Sequence, residues 1–175
     1  MKGILQKRKL VMQTNGTVFV PLGREGVSFA IIDAEDYWLA AGILWSKNGK
    51  GYASANGYSA GKNVSVPLHC LVNKTPKGFD TDHINGNRLD NRRENLRSAT
   101  PSQNIRNRGP LRGRKFKGAY KAKKNWIAQI TVNYRRVQLG TFPTEAMAAA
   151  AYDAAAIKYH GAFARLNKAE RAPIL

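Results

Sequence analysis

The stretch TDHINGNRLDNRRENLRSATPSQN, from Thr81 to Asn104, constrains this chain more than any other. The apolar piece FDTDHI leads into an Asn- and Gly-rich segment, and NLRSAT leads out of it. Asn85, Gly86, Asn87 and Asn91 suit turns and read as loop formers. Thr100-Pro101-Ser102-Gln103 is a helix start: Thr as N-cap, Pro as first helical residue, Gln closing a capping box. Asn104 then falls in the first turns of that helix. The pattern is two short strands, a polar connection and a helix.

The same stretch carries a chemistry. Phosphodiester hydrolysis needs an activated water, neutralised phosphate charge and a stabilised leaving oxygen. His83 can take a proton near neutral pH if a partner fixes its tautomer, and the side-chain carbonyl of Asn95 is the candidate partner. Asp82 and Asn104 offer one anionic and one neutral oxygen. So few hard ligands suit magnesium or manganese. Adjacent residues on a strand diverge, so Asp82 and His83 can serve opposite sides of one phosphate.

Charge names the substrate. The net charge is +18, and from Asn95 to Thr144 there is no Asp or Glu while twelve residues are Lys or Arg. A one-signed block beside aromatics is a nucleic-acid footprint, whereas a solubilising surface mixes signs. One cysteine, Cys70, excludes an intrachain disulfide, and with three histidines a structural Cys/His zinc site cannot be assembled. No apolar run reaches membrane-spanning length and no signal-peptide core is present, so a soluble intracellular protein without membrane contact is expected.

Residues 1–66 read as a small α+β module. TVFVPL and VSFAII are strands, Asp33 caps a short helix over DAEDYWLAAGIL, and GYASANGYSAGKNVSV is a Gly-interrupted strand pair. Tyr37, Trp38, Trp45 and Tyr52 are read as core. This module either extends the DNA interface or braces the nuclease strands. Residues 109–115 form a Gly/Pro/Arg linker. Residues 116–170 read as three strands (KGAYKAK, WIAQITV, RRVQLGTF), an Asn133-Tyr134 hairpin, and a Thr144-capped, alanine-rich helix ended by Gly161. Trp126, Ala128, Ile130 and Val132 share the face toward that helix; Ile127, Gln129 and Thr131 share the other. His160 reads as a helix-end residue near the negative pole.

The pattern from Asp82 to Asn104 resembles the HNH endonuclease family, in the branch of phage homing endonucleases. The resemblance covers residues 67–108 and implies a ββα-metal fold of two antiparallel strands, a long loop and a helix. It implies His83 as general base, Asp82 and Asn104 as metal ligands, and Asn95 as the central Asn of the motif. Many members carry His where this chain has Asn104. The family's upstream His, in an LHRLV-like strand, matches His69 in LHCLV, with Cys70 in place of Arg; His69 is either a support residue or a core histidine. KGAY, WIAQI, LGTF and EAMAAAAYDAAAIKYHGAFARLN resemble, in order, the AP2 DNA-binding domain of plant transcription factors and phage endonucleases. Lys117 and Tyr120 fall where the plant domains place arginines, and Gln129 and Thr131 where they place Glu and Arg. The sheet role carries over and the base preference does not.

The expectation is therefore an α+β chain: an N-terminal module (1–66), an HNH nuclease module (67–108), a basic linker (109–115) and an AP2-like domain of three antiparallel strands and one helix (116–170). The expected activity is site-specific, homing-type cleavage of double-stranded DNA with magnesium or manganese, by a monomer that nicks one strand unless it dimerises or re-engages. Arg106, Arg108, Arg112, Arg114, Lys115, Lys117, Tyr120, Lys121, Lys123, Gln129, Thr131, Arg135 and Arg136 are the expected DNA contacts. The competing readings are a DNA-binding regulator with a silent nuclease module, and an RNA-binding protein.

Overall fold

Alternation of inward and outward residues builds the first sheet. The computed structural model describes residues 9–23 and 28–167. Strands β1 (Val11–Met12), β2 (Thr17–Leu22) and β3 (Ser28–Asp33) pair antiparallel in the order β1-β2-β3. Val18 faces Ile32 and Val20 faces Ala30, and all four are fully buried. A 3-10 turn (Ala34–Asp36) and a single-turn helix α1 (Tyr37–Ala40) follow. The helix expected over DAEDYWLAAGIL is cut short after Ala40, and Gly42 takes a left-handed φ of 74°. Asp33 does not cap it; its Oδ2 accepts the backbone N–H of Arg93. One turn presents one inward position, taken by Ala40, so Trp38 is 68% exposed and Tyr37 is exposed too. Trp45 is core as expected, its Nε1 donating to the Ala40 carbonyl.

Strands β4 (Ser46–Lys47), β5 (Ala53–Ser59) and β6 (Lys62–Pro67) form a second antiparallel sheet. Ala60 and Gly61, both at positive φ, close the β5–β6 hairpin. LHCLVN, expected as a strand, is the helix α2 (Leu68–Asn73). Pro67 sits extended at its N-cap, and burial of Leu68 and Val72 follows helical spacing. Then β7 (Asp80–His83) pairs antiparallel with β8 (Leu96–Ala99), and α3 (Pro101–Arg106) follows, starting at the proline as the sequence predicts. Leu68, Val72 and Leu96 share one core with Val18, Val20, Ile32 and Trp45. Each such burial stabilises by about 2 kcal/mol. The described residues of β2, β3 and Trp45 therefore pack against α2 and β8. The chain divides into two compact units, Met1–Pro101 and Ser102–Leu175.

In the second unit β9 (Ala119–Ala122), β10 (Asn125–Val132) and β11 (Arg135–Phe142) form an antiparallel sheet in the order β11-β10-β9, packed on α4 (Glu145–His160). Asn133 and Tyr134 both take positive φ in a two-residue hairpin. Ala128 and Ile130 are buried against Ala148, Ala149, Tyr152 and Ala156, with Trp126 and Val132 packed alongside, as the alternation predicts. A Cβ on Gly118 would lie 1.9 Å from the Tyr152 ring. Thr144 caps α4 by accepting the Met147 N–H. Gly161 ends the helix at φ 54° and ψ −129°, which is outside the left-handed helical region expected for it. His160 is the last residue of α4, at the helix's negative pole as expected. Burial lowers its pKa, and its Nε2 donates to the Thr131 carbonyl on β10. No helix among the described residues is long and apolar enough to cross a membrane.

Candidate active site

The polar end of the first unit is built on β7. Its last three residues, Thr81, Asp82 and His83, are buried. Asp82 faces Arg97 across the β7–β8 pair, and Arg97 sends both Nε (2.8 Å) and a terminal nitrogen (2.7 Å) to Oδ2 of Asp82. Alternation turns His83 the other way. Its ring meets His69 edge-on at 5.1 Å between centroids and lies 5.8 Å from the Tyr52 ring, while Tyr52 and His69 are 4.7 Å apart. The Arg88 guanidinium lies 5.0 Å from the Tyr52 ring centre.

Asn91 decides the tautomer of His83. The Asn91 Nδ2 donates to the Leu89 carbonyl, which can only accept, so Oδ1 is the atom 3.2 Å from His83 Nε2. An amide oxygen cannot donate, so Nε2 carries the proton and Nδ1 is the unprotonated ring nitrogen. Burial lowers the His83 pKa; the Asn91 hydrogen bond and the carboxylates of Asp82 and Asp90 oppose that in part. The imidazole is therefore neutral at pH 7, the form a general base needs. His69 is also neutral, its pKa pushed down to about 4 by burial and by His83. Its Nδ1 is buried without a partner.

The expected partner of His83, Asn95, has another task. Its Oδ1 accepts the Asn85 N–H and its Nδ2 donates to the Asp90 carbonyl, so it ties the two ends of the β7–β8 loop. Asp90 is itself clamped by Nε and a terminal nitrogen of Arg92, each at 2.8 Å, which hold its pKa below the usual carboxylate range. The loop is stitched to β3 through Ile31 N to Leu89 O and Asn91 N to Ile31 O, both 2.7 Å. Arg93 reaches back to the fully buried Asp36 with a two-pronged bond, at 2.9 and 2.6 Å. Asn85 and Asn87 are loop formers as expected, each accepting the N–H two residues on. Asn91 is more than that: it is fully buried and holds His83.

Asn104 falls in α3, half-buried. Among the described residues no three His, Cys, Asp or Glu side chains converge as a metal cluster. The buried carboxylate of Asp82 is a hard oxygen donor in the first unit. A carboxylate is the donor type a hard divalent ion takes; Asp82 is 4% exposed and its charge is met here by Arg97.

The sheet of the second unit sorts the expected DNA contacts by face. Strand pairing places Tyr120 opposite Ile127 and Arg136 opposite Thr131, on the face of Gln129. Gln138, opposite Gln129 and two residues beyond Arg136, joins them and was missed by the sequence reading. Lys121 and Arg135 instead share the faces of Trp126 and Val132; Lys121 lies 4.9 Å from the Trp126 ring centre. Lys117 is also withdrawn. Its ammonium donates to the carbonyls of Arg106 and Arg108, and burial pushes its pKa down to about 8. Arg114 stacks on Tyr120 at 4.4 Å. Lys123 sits exposed at positive φ, and Arg108, Arg112 and Lys115 are exposed, with Arg106 half-buried.

Sequence reasoning missed Tyr52, Asn91 and Arg97. Tyr52 lies outside the motif region, Asn91 looks like any loop asparagine, and Arg97 is one more cation in a basic block.

A family model described as HNH endonuclease matches residues 74–106. An uncharacterized HNH endonuclease of Acanthamoeba polyphaga mimivirus is 31% identical over 157 residues, covering 86% of this chain and 80% of that protein. Two proteins of Oryza sativa subsp. japonica described as containing AP2/ERF and B3 domains are 51% identical over 47 residues and 55% over 42. These matches cover 27% and 24% of this chain, and 15% and 12% of the rice proteins. The solved structure titled for DNA binding and cleavage by the HNH homing endonuclease I-HmuI covers 67% of this chain and 75% of that one, at 19% identity and a TM-score of 0.34. That is too loose a likeness to build on.

Proposed function

Because this chain belongs to the HNH endonuclease family, matching 80% of the mimivirus protein at 31% identity, we propose that it is a site-specific DNA endonuclease of the homing type, nicking one strand. The observation that carries this reading is His83: neutral, with its proton held on Nε2 by Asn91, beside the buried carboxylate of Asp82. Nδ1 of His83 accepts the proton of the attacking water. The HNH resemblance implies Asp82 and Asn104 as the ligands of magnesium or manganese, which when bound would supply charge neutralisation at the phosphate and the leaving oxygen. Asn95 and Asp90 keep the loop that carries Asn91 in place. The net charge of +18 draws in duplex DNA. An AP2-type sheet supplies register, with Tyr120, Gln129, Thr131, Arg136 and Gln138 toward base edges and Arg108, Arg112 and Arg114 toward phosphates. One cluster per chain cuts one strand, as a monomer.

Incubation of supercoiled plasmid and of a random duplex library with the protein and magnesium tests this. Nicked circles and a common cut site are expected, lost in His83→Ala and Asp82→Ala. Cleavage that persists in Asp82→Ala sinks the assignment.

The Arg97–Asp82 pair favours a second reading, a DNA-binding regulator whose module is silent because Arg97 keeps the carboxylate. Calorimetric titration with manganese separates the two. Heat of binding that disappears in Asp82→Ala supports the nuclease, and no binding with intact DNA affinity supports the regulator.

A further inference from the structure

The β5–β6 hairpin has a part that the proposed cleavage chemistry leaves unused. Its root is packed: Ala53 and Ser54 are buried, and Ser46 and Lys47 of β4 pair beside them. From Asn56 to Ser65 every residue is exposed, on both faces of the ribbon. A free two-stranded ribbon gains little from its own burial in water, so eight exposed residues paired in register call for a partner.

Both roots end on the candidate base. Tyr52 immediately precedes β5 and His69 follows β6 by two residues, and their rings lie against His83. Whatever covers the ribbon is continuous with whatever covers His83.

The two faces differ chemically. Strand pairing sets Asn56 opposite Ser65 and Tyr58 opposite Asn63, so amides and hydroxyls share one face. The same two-residue alternation, run back through Ser54, includes Tyr52. The other face carries Gly57 opposite Val64 and Ala55 opposite Val66. Tyr58 is 75% exposed. From Tyr37 to Phe79 the chain has no Asp or Glu, and it has Lys47, Lys50, Lys62, Lys74 and Lys77. The major groove of duplex DNA admits a two-stranded ribbon, and asparagine pairs with adenine edges there.

We infer that the β5–β6 ribbon lies in the DNA groove beside the cut site and reads bases through Asn56, Tyr58, Asn63 and Ser65. This rests on the endonuclease reading for its substrate. Five residues separate Ser54 from Ser59, about 17 Å of strand. At 3.4 Å per base the tip reaches about five base pairs from the phosphate at His83.

Sites are recovered from a random duplex library in magnesium with the wild-type chain, by cleavage or by retention on the protein. The selection is repeated with Asn56→Ala/Asn63→Ala and with Tyr58→Ser. The expected result is one block of base preference, about three to five base pairs to one side of the nick, weakened about tenfold in the double variant. Hydroxyl-radical protection shrinks over the same block. Unchanged thermal unfolding midpoints show that these exposed substitutions leave the fold intact. Wild-type cleavage with identical preferences and footprints in the variants overturns the inference. So does a concentration-dependent dimer abolished by the variants, since the ribbon would then pair with a second copy. If wild type retains DNA but never cuts, the nuclease reading fails, and the retained sites still decide the ribbon by the presence or loss of that block.

Discussion

The β7–β8 end of the first unit and the sheet–helix pair of the second are held together by different forces. Around His83 the order comes from directional bonds: Asn91 on His83, Asn95 across the loop, Arg92 on Asp90, Arg93 on Asp36. In the second unit it comes from shape. Small residues (Ala128, Ala148, Ala149, Ala156 and Gly118) let helix and sheet approach closely. Polar networks aim specific atoms and need distant partners. Small-residue packing tolerates a varied polar face but not an added methyl group.

The difference can be broken from either side. The largest effect is expected from His83→Ala, which should lower the nicking rate about 10³-fold with binding retained, read by plasmid nicking beside a DNA-shift assay. Gly118→Ala attacks packing instead. The new Cβ cannot share space with Tyr152, and φ is 79°, so a loss of about 3 kcal/mol or more is expected in denaturant unfolding. Arg93→Ala strips the fully buried Asp36 of its two-pronged partner. A loss of about 3 kcal/mol is expected by the same measurement, with Arg93→Lys recovering only part because a point charge cannot make both bonds.

The smallest effect sharpens the comparison most. Asn91→Ala leaves charge and packing elsewhere alone and should slow nicking about tenfold, as the tautomer is no longer imposed. The pH profile gives the sign. As the proposed general base His83 would work unprotonated, and burial holds its pKa below the ordinary 6.5. Activity should therefore persist below pH 6.5 and fall as pH drops through the lowered value. Asn91 raises that pKa, so its loss should move the acid limb to lower pH still. A limb that stays in place, or moves up, breaks the assignment of Asn91.

Much of the second unit was legible because its rules are local. WIAQITV alternates, Thr144 caps its helix, and Asn133-Tyr134 turns the hairpin. The errors arose where register mattered. Lys121 and Arg135 changed faces because each sits one residue from a partner on the polar side, and Gln138 entered through its pairing with Gln129. In the first unit α2 was read as a strand, since LHCLV has the apolar content of one. Only Pro67 and the burial of Leu68 and Val72 at helical spacing give it away. Trp38 was read as core and is exposed, because α1 is a single turn.

By itself the sequence determined the strand–loop–strand–helix order around Asp82, His83, Asn95 and Asn104, the basic character, and the alternation of the second sheet. These depend on spacing, capping and charge, which act between near neighbours along the chain. Tertiary structure alone decided that Asn91 and not Asn95 holds His83, that Arg97 faces Asp82, and that Tyr52 and His69 close around His83. Such pairings depend on strand register and on residues up to 31 positions apart, between Tyr52 and His83. No local preference encodes them; burying the shared core of β2, β3, α2 and β8 brings them together.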